Sequence, residues 1–191
     1  DRGRIAKARK ALHAQGLYGK VSVAAFNGKT LPYVDGLVNL VVMGPGSDGQ
    51  NAKLVNEWFE RSKGEVERVL APRGAVVKPG SIGAPRTASK PVPEGLDDWP
   101  MHMYEPGNNA VSKDTIVGPP KRLQWRSGPT WVRSHEFMSS LNAMVSMNGK
   151  LFYTMDEGSR MSPVFGEKWR LVCQDAFNGV ILWKRDLPSW H

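Results

Sequence analysis

The chain has 191 residues, the length of one to one and a half average domains, and its 26 Lys+Arg against 18 Asp+Glu give a net charge of +8. Apolar residues make up 40% and charged residues 23%, which argues against wholesale disorder, and no run approaches the roughly 20 apolar residues of a membrane-spanning helix. One cysteine, Cys173, excludes an internal disulfide framework, and 14 Pro with 20 Gly argue against a helix bundle.

Residue 1 is Asp, not Met, and Ser189-Trp190-His191 closes the chain without a polar tail, so the sequence reads as an internal fragment. Ile5, Ala8, Ala11 and Leu12 recur at helical spacing, with Asp1 as a candidate cap and Gly16 and Gly19 as the stop. Val21 to Phe26 reads as a strand, and Asn27-Gly28-Lys29-Thr30 as a turn. Leu37 to Met43 is a near-continuous apolar run, the pattern of a strand buried on both faces, and Gly44-Pro45-Gly46 stops it. A second helix is expected from Leu54 to Leu70, broken by Pro72, and a further strand from Gly74 to Lys78. This order of helix, strand, strand, helix, strand predicts a parallel α/β sheet.

The segment from Lys78 to Glu94 carries Pro79, Pro85, Pro91 and Pro93 with Gly80 and Gly83, the composition of a linker. Charge and aromatic content change across it. Residues 1–96 hold a net +7 and residues 97–191 a net +1, while Trp58 is the only Trp of the first half. Beyond the linker the period becomes that of strands. Asn142–Met147 and Lys150–Met155 flank Asn148-Gly149, the pair that accepts the positive φ angles of a two-residue hairpin. Trp169–Gln174 and Val180–Lys184 flank a second turn, and Leu123-Gln124-Trp125 is a candidate further strand. Two hairpins predict a four-stranded antiparallel sheet, which needs neighbouring sheets to cover its faces.

Three segments of the first half carry a resemblance. Ile5-Ala6-Lys7-Ala8-Arg9, Phe26-Asn27-Gly28-Lys29-Thr30-Leu31-Pro32-Tyr33 and Arg68-Val69-Leu70-Ala71-Pro72-Arg73-Gly74 are similar to the later part of class I S-adenosylmethionine-dependent methyltransferases. The last two match that family's "D-x-x-x-L-P-(F/Y)" and "R-V-L-x-P-G-G" segments. The resemblance implies S-adenosylmethionine as cofactor, with Asn27 at the adenine amino group, the Gly28 backbone beside it, and Met43 and Gly44 near the methyl donor. Asn27 stands where Asp is usual, and Arg73 replaces a glycine. The family's first strand, Gly-rich loop and acidic ribose residue would precede Asp1, and no catalytic acid or base is recognisable after Met43.

In the second half, Cys173-Gln174-Asp175-Ala176-Phe177-Asn178-Gly179-Val180-Ile181-Leu182-Trp183 resembles the repeat signature "A-x-D-x-x-T-G-x-x-x-W" of pyrroloquinoline-quinone-type (PQQ-type) β-propellers. Asp175 and Asn178 are expected to bond the turn backbone, Gly179 to take a positive φ, and Trp183 to offer its ring to the next blade. The order of both halves is similar to a bacterial family that joins a methyltransferase-like segment to such a propeller.

The expected fold is therefore α/β over residues 1–78, the C-terminal part of a Rossmann-like methyltransferase sheet. A Pro/Gly-rich linker follows over 79–97, and then all-β over 98–191, the first blade of a PQQ-type propeller. The expected function is an S-adenosylmethionine-binding module that transfers methyl groups to an unknown substrate. A non-enzymatic interaction scaffold and a quinoprotein oxidoreductase are the alternatives. PQQ itself is not expected from this segment, which lacks the adjacent Cys pair typical of quinoprotein dehydrogenases. His102, Asn108, Arg133, His135, Glu136, Asp156 and Glu157 are polar candidates for a propeller-face ligand, with loop bonding as their ordinary role. Met101-His102-Met103 lacks a second ligand at fixed spacing, and no metal is expected. The basic residues lack interleaved aromatics, so nucleic acid is not expected as a partner. Expected partners are the missing N-terminal strand, the remaining blades and a protein on the propeller. The propeller signature favours an extracytoplasmic location over a cytoplasmic one, and the exposed edges predict aggregation or oligomerisation of the fragment alone.

Overall fold

A computed structural model describes residues 2–43, 49–77, 89–120, 122–127, 141–159 and 166–188. Asp1, Gly44, the 78–88 part of the linker, Trp131, Arg133, His135, Glu136 and Trp190 lie outside the described residues. The elements run α1 (Arg2–Ala14), β1 (Val38–Val42), α2 (Gly49–Arg61), α3 (Lys63–Val69), β2 (Leu70–Val77), β3 (Leu141–Met147), β4 (Lys150–Asp156), β5 (Trp169–Asp175) and β6 (Ile181–Asp186). They build a parallel pair β1-β2 and an antiparallel sheet ordered β3-β4-β5-β6.

Helix α1 closes with bonds from Gly16 N to His13 O and from Leu17 N to Leu12 O, the doubly bonded C-terminal pattern that satisfies the last carbonyls. Its apolar stripe is narrow. Ile5, Ala8 and Leu12 are half-buried, whereas Ala11, expected to face inward, is exposed, and the helix has no buried residue. The helix is held to the following segment, where Arg9 Nε donates to Val23 O at 2.8 Å. The strand expected at Val21–Phe26 does not form. Val21 makes an isolated bridge with Tyr18, and residues 22–27 join no ladder among the described residues. A strand exists only through a partner edge, and among the described residues β1 pairs with β2.

The unit β1-α2-α3-β2 is a strand, two helices and a parallel strand, the crossover that parallel pairing requires. The single helix expected from Leu54 to Leu70 is instead two helices divided at Ser62, whose N–H donates to both Trp58 O and Phe59 O. Met43, Phe59, Val66, Leu70 and Val76 form the core, with Val41 and Trp58 packed against it. Helices cover one face of the pair. Leu40 and Val42 therefore remain 47% and 61% exposed, and the expectation that this apolar run is buried on both faces is not met. Pro72 lies inside β2 rather than ending a helix. The pairing jumps there from Val38↔Leu70 to Leu40↔Ala75, so the missing proline N–H falls outside the paired positions.

The four-stranded antiparallel sheet forms as the two-hairpin pattern predicts. Asn148 and Gly149 have φ of 58° and 71°, the two positive angles of a type I′ turn. Leu123-Gln124-Trp125 is not a strand. Trp125 packs its ring on Gly179 and donates through Nε1 to Ala176 O at 3.1 Å, so it seals the β5–β6 turn from outside. The long connection before β3 is organised by Asp97 and Asp114. Asp97 accepts from Asp98 N, Lys113 N and Ser112 Oγ, and Asp114 from Asp97 N, Ile116 N and Val117 N. The Tyr104 hydroxyl and then the Lys113 N–H hold the Asp97 carboxyl below its usual range, and the Val117 and Ile116 N–H groups do the same for Asp114.

Contacts tie the segment after residue 88 to the parallel pair, and join that pair to the antiparallel sheet. Ser89 bridges to Ala75, and Lys90 Nζ donates to Glu67 O and Leu70 O, the free carbonyls at the end of α3. Arg73 Nη1 and Nη2 donate to Asn148 O at 2.7 Å and Asn148 Oδ1 at 2.6 Å. Gln124 Nε2 donates to Gly36 O and Phe177 O. No described helix is long and apolar enough to cross a membrane.

Candidate functional site

The turn at Asn27–Thr30 is a tight local structure. Asn27 Oδ1 accepts from Lys29 N at 2.8 Å and Thr30 N at 3.0 Å, which an Asn side chain does readily at a turn. Gly28 follows at φ 79°, where an added Cβ would meet nothing within 4 Å. Trp58 Nε1 donates to Gly28 O at 2.9 Å, and the Trp58 ring meets Phe26 edge-on at 5.2 Å. The turn thus sits beside an aromatic pair, half of it open to solvent at Phe26. An adenine amino group brought to Asn27 would compete with two backbone donors for Oδ1. The other polar group of that side chain, Nδ2, is itself a donor. Met43 belongs to the buried core with Phe59 and Val76, and Gly44 lies outside the described residues.

Next to this turn is a node that residue patterns did not single out. Arg68 donates to both Glu65 oxygens, to Asp35 Oδ1 at 2.6 Å, and to the carbonyls of Tyr33 and Leu31. Glu65 Oε1 also accepts from Leu31 N at 2.6 Å. The Arg68 bonds and then the Leu31 N–H pull the Glu65 carboxyl down to about 2. The Asp35 carboxyl is held below its usual range chiefly by its bond to Arg68. Five oxygens around one planar guanidinium make a rigid strut, not a site open to substrate. The sequence shows Arg68 and Leu31-Pro32-Tyr33 only as separate segments, with nothing to say that they meet.

In the antiparallel sheet Asp175, Asn178 and Gly179 take the turn roles expected of them. Asp175 Oδ1 accepts from Phe177 N and Asn178 N, Asn178 Oδ1 accepts from Val180 N, and Gly179 has φ 73°. Trp183 lies at the outer end of a row that register places on one face: Val145, Phe152, Cys173 and Trp183. Phe152 and Trp183 rings are 6.2 Å apart, and the Arg185 guanidinium lies 5.7 Å from the Trp183 ring centre. Cys173 is buried, and burial pushes its thiol up, away from the reactive thiolate.

The remaining candidates, where they are described, lie at a strand end, in loops and turns, and in ion pairs. Asp156 Oδ1 is buried and accepts from Gly158 N and Lys168 N at 2.8 Å each. Glu157 binds Arg170 at 3.0 Å and Lys184, and Arg170 Nε lies 2.9 Å from Asp186 Oδ1. His102 is exposed, with its carbonyl accepting from Trp99 Nε1, and Asn108 is a turn residue at φ 55°. Among the described residues, no three His, Cys, Asp or Glu side chains are placed to hold a metal ion. Compared with known proteins, the chain matches no protein family, no curated protein and no solved structure.

Proposed function

We propose that the chain is an interaction scaffold: a methyltransferase-like α/β part holding one blade of a PQQ-type β-propeller, whose open face receives another β-sheet. The observation that carries this is the outer end of the cross-sheet row Val145-Phe152-Cys173-Trp183, where Cys173 is buried but Trp183, on the outermost strand, is 40% exposed. All six residues of β6 are exposed, Ile181 and Leu182 among them. An apolar face whose outer edge is unpaired among the described residues gains free energy by stacking, at roughly 25 cal/mol per Å² of apolar surface covered. Sedimentation velocity over a range of protein concentrations tests this. Association that strengthens with concentration, and is lost in Trp183→Asp, is the expected result. A chain that stays monomeric at every concentration overturns it.

A second reading, binding of S-adenosylmethionine, is favoured by one observation, the Phe26–Trp58 pair beside the open Gly28 turn. An exposed aromatic edge next to a glycine offers a purine a stacking surface. Calorimetric titration with S-adenosylmethionine separates the two. A saturable one-to-one isotherm, lost in Trp58→Ala, supports the transferase-derived site, and flat heats leave the α/β part as a scaffold.

A further inference from the structure

Where the two sheets meet, the end of the β3–β4 hairpin and the β5–β6 turn face Asn39 and Leu40 of β1 and the Pro72-Arg73 kink of β2 across a cleft of about 270 Å³. Its polar side is cationic. Arg73 bonds the carbonyl and side-chain oxygens of Asn148, both neutral, so its charge is anchored but not cancelled. Lys150 is the direct cross-strand neighbour of Asp175. Among the described residues, neither Arg73 nor Lys150 forms an ion pair. Asp175 supplies the one negative charge of the lining, but its Oδ1 is engaged by two turn N–H groups and its Oδ2 faces Asn39 Nδ2 at 3.4 Å. The opposite side is apolar, built by Leu40, Phe177 and Leu182.

We infer that this seam is a binding site for a small organic monocarboxylate, its carboxylate on Arg73 and Lys150 and its apolar body against Leu40, Phe177 and Leu182. Charge decides the valence: two cations against one carboxylate leave a single positive charge to be met. Size decides the scale, because the cleft lies just below the range of about 300–1,000 Å³ usual for small-molecule sites. Geometry decides the donor. Arg73 is already oriented by Asn148, so a carboxylate loses little in ordering it. Because the lining comes from both sheets, an occupant also ties the α/β part to the antiparallel sheet.

The test is an NMR titration of the ¹⁵N-labelled chain with phenylacetate, taken to about 20 mM to reach weak affinities, and in parallel with its neutral analogue phenylacetamide and with inorganic phosphate. The expected result is saturable shifts of the Gly149, Lys150 and Phe177 amides with phenylacetate. Phenylacetamide should bind about tenfold more weakly, the usual loss for one charge-assisted bond. Lys150→Gln, a change of similar size at the half-buried first residue of β4, should keep the native spectrum and weaken phenylacetate by a similar factor. Leu182→Asp should abolish the shifts. Absence of saturable shifts at those three amides overturns the site, as does equal binding of phenylacetamide. Phosphate producing the same shifts as phenylacetate overturns the apolar half of the site, and unchanged affinity in Lys150→Gln overturns the cationic half.

Discussion

Glu65 shows how one side chain can tie a loop to a helix. It is half-buried, accepts from Leu31 N, and takes two bonds from Arg68. Its carboxyl is drawn from 4.5 to about 2 in the folded chain. A lowered folded value means that the unfolded chain takes up the proton first. The stabilisation is therefore whole above about pH 4.5 and is lost as pH falls towards 2. Urea unfolding at stepped pH should show the native chain losing more stability across that window than Glu65→Gln, which has no proton to take up. Parallel pH curves for the two proteins would sink the assignment. The same residue scale explains Asn27, whose short carbonyl arm caps its own turn. It also explains Asp156, whose burial is satisfied by two backbone donors rather than by a ligand.

At the scale of elements, the β3–β4 hairpin depends on its turn. Both central residues need positive φ, and Gly149 also lies under the Phe177 ring, where an added Cβ would come within 2.8 Å of Cε2. Gly149→Ala should therefore cost about 1–2 kcal/mol, from backbone strain plus displacement of the ring. Urea midpoints of the two proteins measure it, and a change below a few tenths would show that the ring and the turn relax freely. This hairpin was legible because Asn-Gly between two apolar runs states its turn type within two residues. The strand expected at Val21–Phe26 was not, because a strand needs an edge to pair with and no local pattern supplies one. The division of the second helix at Ser62 was equally silent in the periodicity, since Trp58, Phe59, Val66 and Val69 reach the core from both sides of the break.

At the scale of the whole molecule, the two-stranded parallel pair is the weaker sheet. Two strands covered on one face make a small core, whereas the antiparallel sheet has four. Arg73 couples them. It stands at φ 67°, a conformation that suits glycine, and its guanidinium holds the Asn148 turn of the other sheet. Arg73 in this positive-φ position thus has a structural use that only the assembled chain shows. In Arg73→Gln, amide hydrogen exchange should quicken in β1 and β2 by about fivefold or more while the central amides of β4 and β5 keep their rates. Equal acceleration everywhere would mean that Arg73 supports global stability rather than the seam.

What the sequence by itself determined is local. Asn148-Gly149 set the hairpin, Asp175, Asn178 and Gly179 set the next turn, and the four short strand-like runs around these turns set an antiparallel sheet. Each of these is decided by φ preferences and side-chain bonds within a few residues. What only the tertiary structure decided is which surfaces meet. It left Leu40 and Val42 open where an apolar run promised two buried faces. It drew Met43 into the core and turned Arg73 towards the hairpin. It also gathered Lys150, Asp175 and Leu40 around one cleft. Those outcomes depend on residues tens of positions apart competing for the same neighbours, and no periodicity along the chain records who wins.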